Sequence, residues 1–176
     1  MTFLIDTPVQ NIEATAALLA ELLNNAKVIY PEASVRGVAT DVSNYNGLGN
    51  QPQVGYDELV YAQNLAPLLT SAGYPAHFIV DQGRSGVQNY TRVGTDWCNN
   101  KYAGFGPRPS TNTPDPLIDA IVWVKPGGQG DGTSDPSSPR YDASCSSDAS
   151  HVPAPEAGTW FQAYFEQLLV NANPPF

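Results

Sequence analysis

Apolar residues fall along this chain in two kinds of pattern: short unbroken runs, and longer stretches with helical spacing. Residues 2–5, Thr-Phe-Leu-Ile, are the first run and predict a buried strand. Over about 11–26, Leu18, Leu19, Leu22, Leu23 and Ala26 share one side of a helix, with Asn11 placed as its N-cap. Further strand patterns occupy 35–39, 76–80 and 120–124, the second of these containing His77, read as a hydrogen-bonded core histidine. A second helix is predicted over 56–72, with Leu59, Val60, Leu65, Leu68, Leu69 and Ala72 on its apolar face. Pro67 is expected to kink it, and Gly73 stands where a glycine commonly closes a helix. The last helix pattern starts near Pro155 and runs to about 171, with Trp160, Phe161, Tyr164, Phe165, Leu168 and Leu169 as its stripe. Continuously apolar strands separated by helices predict an α/β fold with a parallel sheet covered on both faces.

The remaining chain is loop. Residues 43–55 are rich in turn formers, and two long stretches rich in Gly, Pro, Ser and Asn flank the fourth strand pattern. Structureless loops of such length are usually functional. Each strand pattern is followed by polar residues: Asp6 after the first, Thr40, Asp41 and Asn44 after the second, Asp81 and Arg84 after the third, Lys125 after the fourth. In parallel α/β folds those positions are where ligands bind, although single residues of this kind also cap strands and form ordinary ion pairs. Asp131 follows the glycine-rich segment Lys125-Pro126-Gly127-Gly128-Gln129-Gly130, which is expected to present it without steric cover as a candidate base, or as a solvated loop carboxylate. Trp97 is either a stacking platform for the apolar face of a sugar or a core tryptophan beside Cys98.

Composition narrows the partners. Of 176 residues 41% are hydrophobic, enough for a core, and one domain suffices for the length. Only 14% are charged, with 17 acids against 8 bases and a net charge of −9. Nucleic acid and anionic membranes are therefore unsuitable partners, and a neutral polar ligand fits better. No run approaches the ~18–20 apolar residues of a membrane span, and Met1-Thr2-Phe3-Leu4 has no basic region of a signal peptide. Cys98 and Cys145 are two thiols or one disulfide, and Asn89-Tyr90-Thr91 is a glycosylation triplet. Dinucleotide, P-loop, calcium-loop and nucleophile-elbow patterns are missing, and His77 and His151 lack metal-ligand spacing, so neither cofactor nor metal is expected.

Longer segments carry a resemblance. They are Arg36-Gly37-Val38-Ala39-Thr40 with Asn44-Tyr45-Asn46, then Asp81-Gln82-Gly83-Arg84-Ser85-Gly86 and Gly94-Thr95-Asp96-Trp97-Cys98-Asn99. Gly104-Phe105-Gly106-Pro107-Arg108-Pro109, Trp123-Val124-Lys125-Pro126-Gly127-Gly128 and Asp131-Gly132-Thr133-Ser134-Asp135 follow, then Ala154-Pro155-Glu156-Ala157-Gly158-Thr159-Trp160-Phe161. In this order, from about 35 to 176, they resemble the C-terminal half of the catalytic domain of glycoside hydrolase family 6, the fungal cellobiohydrolase II type.

The resemblance implies about half of a distorted parallel β/α barrel, and hydrolysis of β-1,4-glucan with inversion and without cofactors. It matches Asn44, Trp97 and Lys125 to glucose-contacting positions, Gln129 to a glutamate of the substrate loop, Asp131 to the debated base and Arg84 to an arginine beside the active-site acids. Cys98 and Cys145 match a disulfide pair, and an extracellular location is implied. The family's proton-donating aspartate belongs to an N-terminal half without counterpart here, and Asp6 and Asp81 match no proton donor. The chain is accordingly read as a single truncated family-like domain, inactive alone. The alternatives are a non-catalytic glucan-binding or vestigial protein, or a half-barrel completed by a partner.

Overall fold

A computed structural model describes residues 3–5, 11–49, 57–88 and 96–176, with the backbone alone for 3–5. Asp6, residues 50–56 and the Asn89-Tyr90-Thr91 triplet lie outside the described residues. The elements are β1 (Phe3–Ile5), α1 (Ile12–Ile29), β2 (Val38–Thr40), α2 (Glu58–Ser71), β3 (Phe78–Asp81), β4 (Ile118–Val122), a 3-10 turn (Ala143–Ser146) and α3 (Gln162–Val170). The chain divides into two compact units, one of Met1–Val42, Asn46–Asp81 and Pro109–Val122, the other of Ser43–Tyr45, Gln82–Arg108 and Trp123–Phe176.

The first unit is the α/β part. Its sheet runs β1-β2-β3-β4, every neighbouring pair parallel. The alternation of strand and helix read from the sequence is thus the architecture observed. Val38, Phe78, Val80 and Ile118 from the strands join Ala16, Leu19, Ala20 and Leu23 of α1 and Tyr61, Ala62, Leu65, Ala66 and Leu69 of α2 in one core. The β3–β4 register slips between Phe78 and Ile79, which pair with Ile118 and Ala120, so Asp119 is passed over. The freed Asp119 carboxylate takes Arg36 Nη2 at 2.8 Å and lies 3.1 Å from His77 Nδ1. His77 is hydrogen-bonded as expected, but it precedes β3 and its side chain is 40% exposed, so it is not a core residue.

The helices correct several expectations. Asn11 occupies the N-cap of α1 but its side chain caps nothing, because its backbone is left-handed (φ 96°). The buried stripe of α1 is Ala16, Leu19, Ala20 and Leu23, whereas Leu18 and Leu22 face outward. In α2 the Asp57 side chain accepts from the amides of Leu59 and Val60 at 2.9 and 3.2 Å, the N-cap the first turn needs. Pro67 sits inside α2 without ending it. Beyond Ala72, Gly73 turns left-handed (φ 76°), its amide reaching Thr70 O and that of Tyr74 reaching Leu69 O at 2.9 Å, a double closure of the last turn.

The fourth strand lies two residues earlier than 120–124, and Trp123 instead joins the second unit, where its indole donates to Pro107 O at 2.8 Å and stacks on Phe105. The last helix begins seven residues later than Pro155. The amides of Phe161 and Gly130 bond to Gly128 O and Thr159 O at 2.7 and 2.8 Å, an antiparallel bridge that commits the backbone before the helix can start. The second unit is otherwise loop, organised on a core of Tyr45, Ala103, Phe105, Ala154, Phe161, Tyr164 and Leu168. Its covalent tie is the Cys98–Cys145 disulfide, with Cα atoms 4.9 Å apart.

Candidate active site

The polar centre of the second unit is Asp131. Its side chain is only 8% exposed. Arg84 Nη1 straddles the carboxylate, 2.8 Å from each oxygen. Lys125 Nζ lies 3.2 Å from Oδ1, and the Asn99 amide donates to Oδ2 at 2.9 Å. Tyr45 Oη is 3.4 Å from Oδ2, its shorter bond being to Trp97 O at 2.8 Å. The expectation of an uncovered Asp131 on a glycine-rich loop is therefore wrong. The loop's glycines let neighbouring chain close in, and donors from three other segments, Tyr45, Arg84 and Asn99, join Lys125 of the same loop on the carboxylate.

Arg84 is the most enclosed charged member, with a side chain 1% exposed. Its Nη2 donates to Gln129 O at 2.5 Å and reaches Gly127 O at 3.3 Å, so the arginine fastens both the backbone and the carboxylate of the 125–132 segment. The guanidinium lies over the Tyr164 ring, 5.0 Å from its centroid. Burial by itself lowers its pKa, but Tyr164, Tyr45 and Asp131 outweigh burial and the net shift is upward, so the cation is permanent. Burial first, and the Asp131 charge second, raise the Tyr45 phenol; burial raises Tyr164 still more. Both hydroxyls therefore stay protonated donors, in a chain from Tyr164 Oη to Tyr45 Oη at 3.4 Å.

Of the residues singled out by sequence, Arg84, Lys125 and Asp131 meet directly. Gln129 enters through its backbone carbonyl, while its side-chain amide is directed to Gly158 O, 3.5 Å away. Trp97 supplies its carbonyl to Tyr45 and is 43% exposed, so it is not a core tryptophan. Asn44 is half-buried, one residue before Tyr45. Asp81 belongs to the other unit, buried at the end of β3. Among the described residues no group of three or more His, Cys, Asp or Glu could hold a metal ion.

Sequence reasoning missed Tyr45, Asn99 and Tyr164. Tyr164 was placed on an apolar stripe, and nothing in that stripe marks its hydroxyl as part of a polar chain. Asn99 carried a usable signal, since an asparagine after a cysteine in a loop is a candidate for left-handed backbone, which it adopts (φ 44°).

The arrangement can hold a polar ligand more readily than it can abstract a proton. A base needs a lone pair open to water, and here both oxygens already accept, so a donor must withdraw before Asp131 can take a proton. Lys125 is the less enclosed cation, 16% exposed on a flexible stem. It is the partner able to leave Asp131 for a ligand hydroxyl.

Comparison with known proteins places the chain in a family. The model for "Glycosyl hydrolases family 6" matches residues 7–172. The chain belongs to this family. Exoglucanase 3 of Agaricus bisporus is 57% identical over 171 residues, covering 93% of this chain and 38% of the relative. A probable 1,4-beta-D-glucan cellobiohydrolase C of Aspergillus fumigatus is 52% identical, covering 94% and 38%. The CcCel6A catalytic domain, solved with p-nitrophenyl beta-D-cellotrioside, superposes with a TM-score of 0.87 at 53% identity, covering 96% of this chain and 48% of that one. The family 6 chain described here thus spans well under half the length of these curated relatives, and about half of the solved domain.

Proposed function

We propose that the Asp131 site binds a β-1,4-linked glucose chain and forms the base side of an inverting glucan-hydrolase centre, and that these 176 residues alone do not complete the reaction. The observation that carries this reading is the pairing of Lys125 with an enclosed Asp131 in a unit that also holds the half-exposed Trp97. Lys125 and Asn44 would donate to sugar hydroxyls, and the Trp97 ring would cover an apolar sugar face. Inversion needs one carboxylate to take a proton from the attacking water while an acid protonates the leaving oxygen on the opposite face. Asp131 can serve only the first role, and no residue of this chain resembles the family's donor. Losing a general acid typically lowers rate by ~10²–10⁴-fold.

Three further readings rest on the same family. The four-stranded parallel sheet is part of a distorted β/α barrel, supported by its match to catalytic domains about twice as long. The acid would come from a complementary barrel half. The protein works outside the cell, supported by the Cys98–Cys145 disulfide, which persists in oxidising compartments.

The test has two parts. Tryptophan fluorescence of the chain should respond to cellotetraose, and Trp97→Ala should abolish the response with the fold intact. Reducing-sugar release from soluble β-glucan should be negligible, as in Asp131→Ala. Asp131-dependent turnover comparable to an intact family enzyme would overturn the reading. A non-catalytic glucan-binding role is favoured if the response is present and no added barrel half restores turnover; the saturation of both Asp131 oxygens by donors is the observation behind it.

A further inference from the structure

The contacts around Asp131 are not equivalent. Arg84 and Lys125 approach through side chains, but Asn99 engages residue 131 twice and reciprocally. Its amide donates to Asp131 Oδ2 at 2.9 Å, and its Oδ1 accepts from the Asp131 amide at 2.7 Å. Its Nδ2 donates onward to Gly132 O at 2.8 Å. The wholly buried side chain thereby holds the peptide groups 130–131 and 132–133, while the Asn99 backbone amide holds the Asp131 carboxylate.

This needs a left-handed backbone at residue 99, which turns the amide and the side chain toward the same neighbour. The turn is anchored on both sides. Cys98 is tied to Cys145, and the Asn99 carbonyl accepts from the His151 amide at 2.8 Å. Gly132 lies against the bridge so closely that a Cβ there would come 2.6 Å from Cys145 Sγ. The disulfide, Asn99 and Gly132 form one rigid block behind the carboxylate.

We propose that Asn99 is a positioning residue of the site: by clamping the backbone of Asp131 and holding Oδ2, it leaves Oδ1 aimed at Lys125 and sets the lysine where it can exchange Asp131 for a ligand hydroxyl. The ligand part of this inference rests on the function proposed above; the clamp does not.

The experiment uses the 176-residue chain with its disulfide intact. Asn99→Gly keeps the left-handed backbone accessible and the amide in place, and removes only the side chain. Ser150→Ala is the control, because it removes a bond from Ser150 Oγ to Ser144 O in the neighbouring loop without touching Asp131. Amide hydrogen exchange is read at residue 131, and cellotetraose affinity from tryptophan fluorescence. In Asn99→Gly the Asp131 amide should lose protection and affinity should fall about tenfold, the scale of one or two lost buried hydrogen bonds. Ser150→Ala should lower the melting temperature with affinity unchanged. Unchanged Asp131 protection in Asn99→Gly overturns the clamp. Lost protection with unchanged affinity, or an equal affinity loss in Ser150→Ala, overturns the positioning role. If the parent chain gives no fluorescence response, the proposed function fails, and exchange at residue 131 still decides the clamp.

Discussion

Replacing Arg84 by methionine should be the most damaging single change in the second unit. The side chain is 1% exposed and supports an Asp131 carboxylate that is itself 8% exposed. The substitution keeps a stem of similar volume but removes the cation, leaving Asp131 with only the 3.2 Å contact to Lys125 as ionic compensation. It also strips Gln129 O of a 2.5 Å donor. Breaking a buried pair by deleting one partner costs ~3–5 kcal/mol, because the other charge stays desolvated. For a chain of this size that is a fall of roughly 6–20 °C in melting temperature, at about 2–4 °C per kcal/mol. Lys125→Met removes the 3.2 Å contact of a less enclosed amine and leaves the Arg84–Asp131 pair in place, so it should cost clearly less than Arg84→Met. The discriminating measurement is a double-mutant cycle by urea denaturation of the oxidised protein. Asp131→Asn should be destabilising alone, yet Arg84→Met with Asp131→Asn together should cost clearly less than the sum of the single changes, since neither member of the desolvated pair is then left charged without the other. Additive losses, or an Arg84→Met loss under ~1 kcal/mol, would refute the view that this pair is a coupled, desolvated unit.

Other outcomes follow from the same structure. Free-thiol titration of denatured, unreduced protein should find none, and reduction should cost about 4 kcal/mol in the chain-entropy account for residues 47 apart, read as a drop in the urea midpoint. Gly132→Ala should destabilise by ~1–3 kcal/mol through overpacking, because its Cβ would land 2.6 Å from Cys145 Sγ; an unchanged urea midpoint would show that the block yields. The Asp119 carboxyl is held below its ordinary 3.8, first by its hydrogen bond to Arg36. The folded state therefore binds this proton more weakly than the unfolded chain, so the contribution is full above 3.8 and is lost as pH falls through the lower folded value. Asp119→Asn should flatten the acid limb of the stability curve below about pH 4; parallel curves for parent and variant would count against it.

Periodicity and punctuation by themselves determined the α/β class, the order of the elements and the closure of α2 at Gly73, because these depend on local backbone preferences and on which residues avoid water. The long segments after residue 80 also carried enough identity to place the chain in its family and to single out Arg84, Lys125 and Asp131. What they did not carry was anything set by chain remote in sequence. Both Leu18 and Ala16 suit an apolar helix face, and only the presence of α2, with its own Ala62 and Ala66, puts the alanines inside and Leu18 56% exposed. The helical pattern from Pro155 was overridden by backbone bonds to Gly128 and Gly130, about thirty residues back along the chain. Asp131 looks open when its glycine-rich neighbours are read alone, but Arg84, Lys125, Asn99 and Tyr45 close around it. A charge can be enclosed only where partners from distant segments offset its desolvation, and those partners exist as a set only in the tertiary structure.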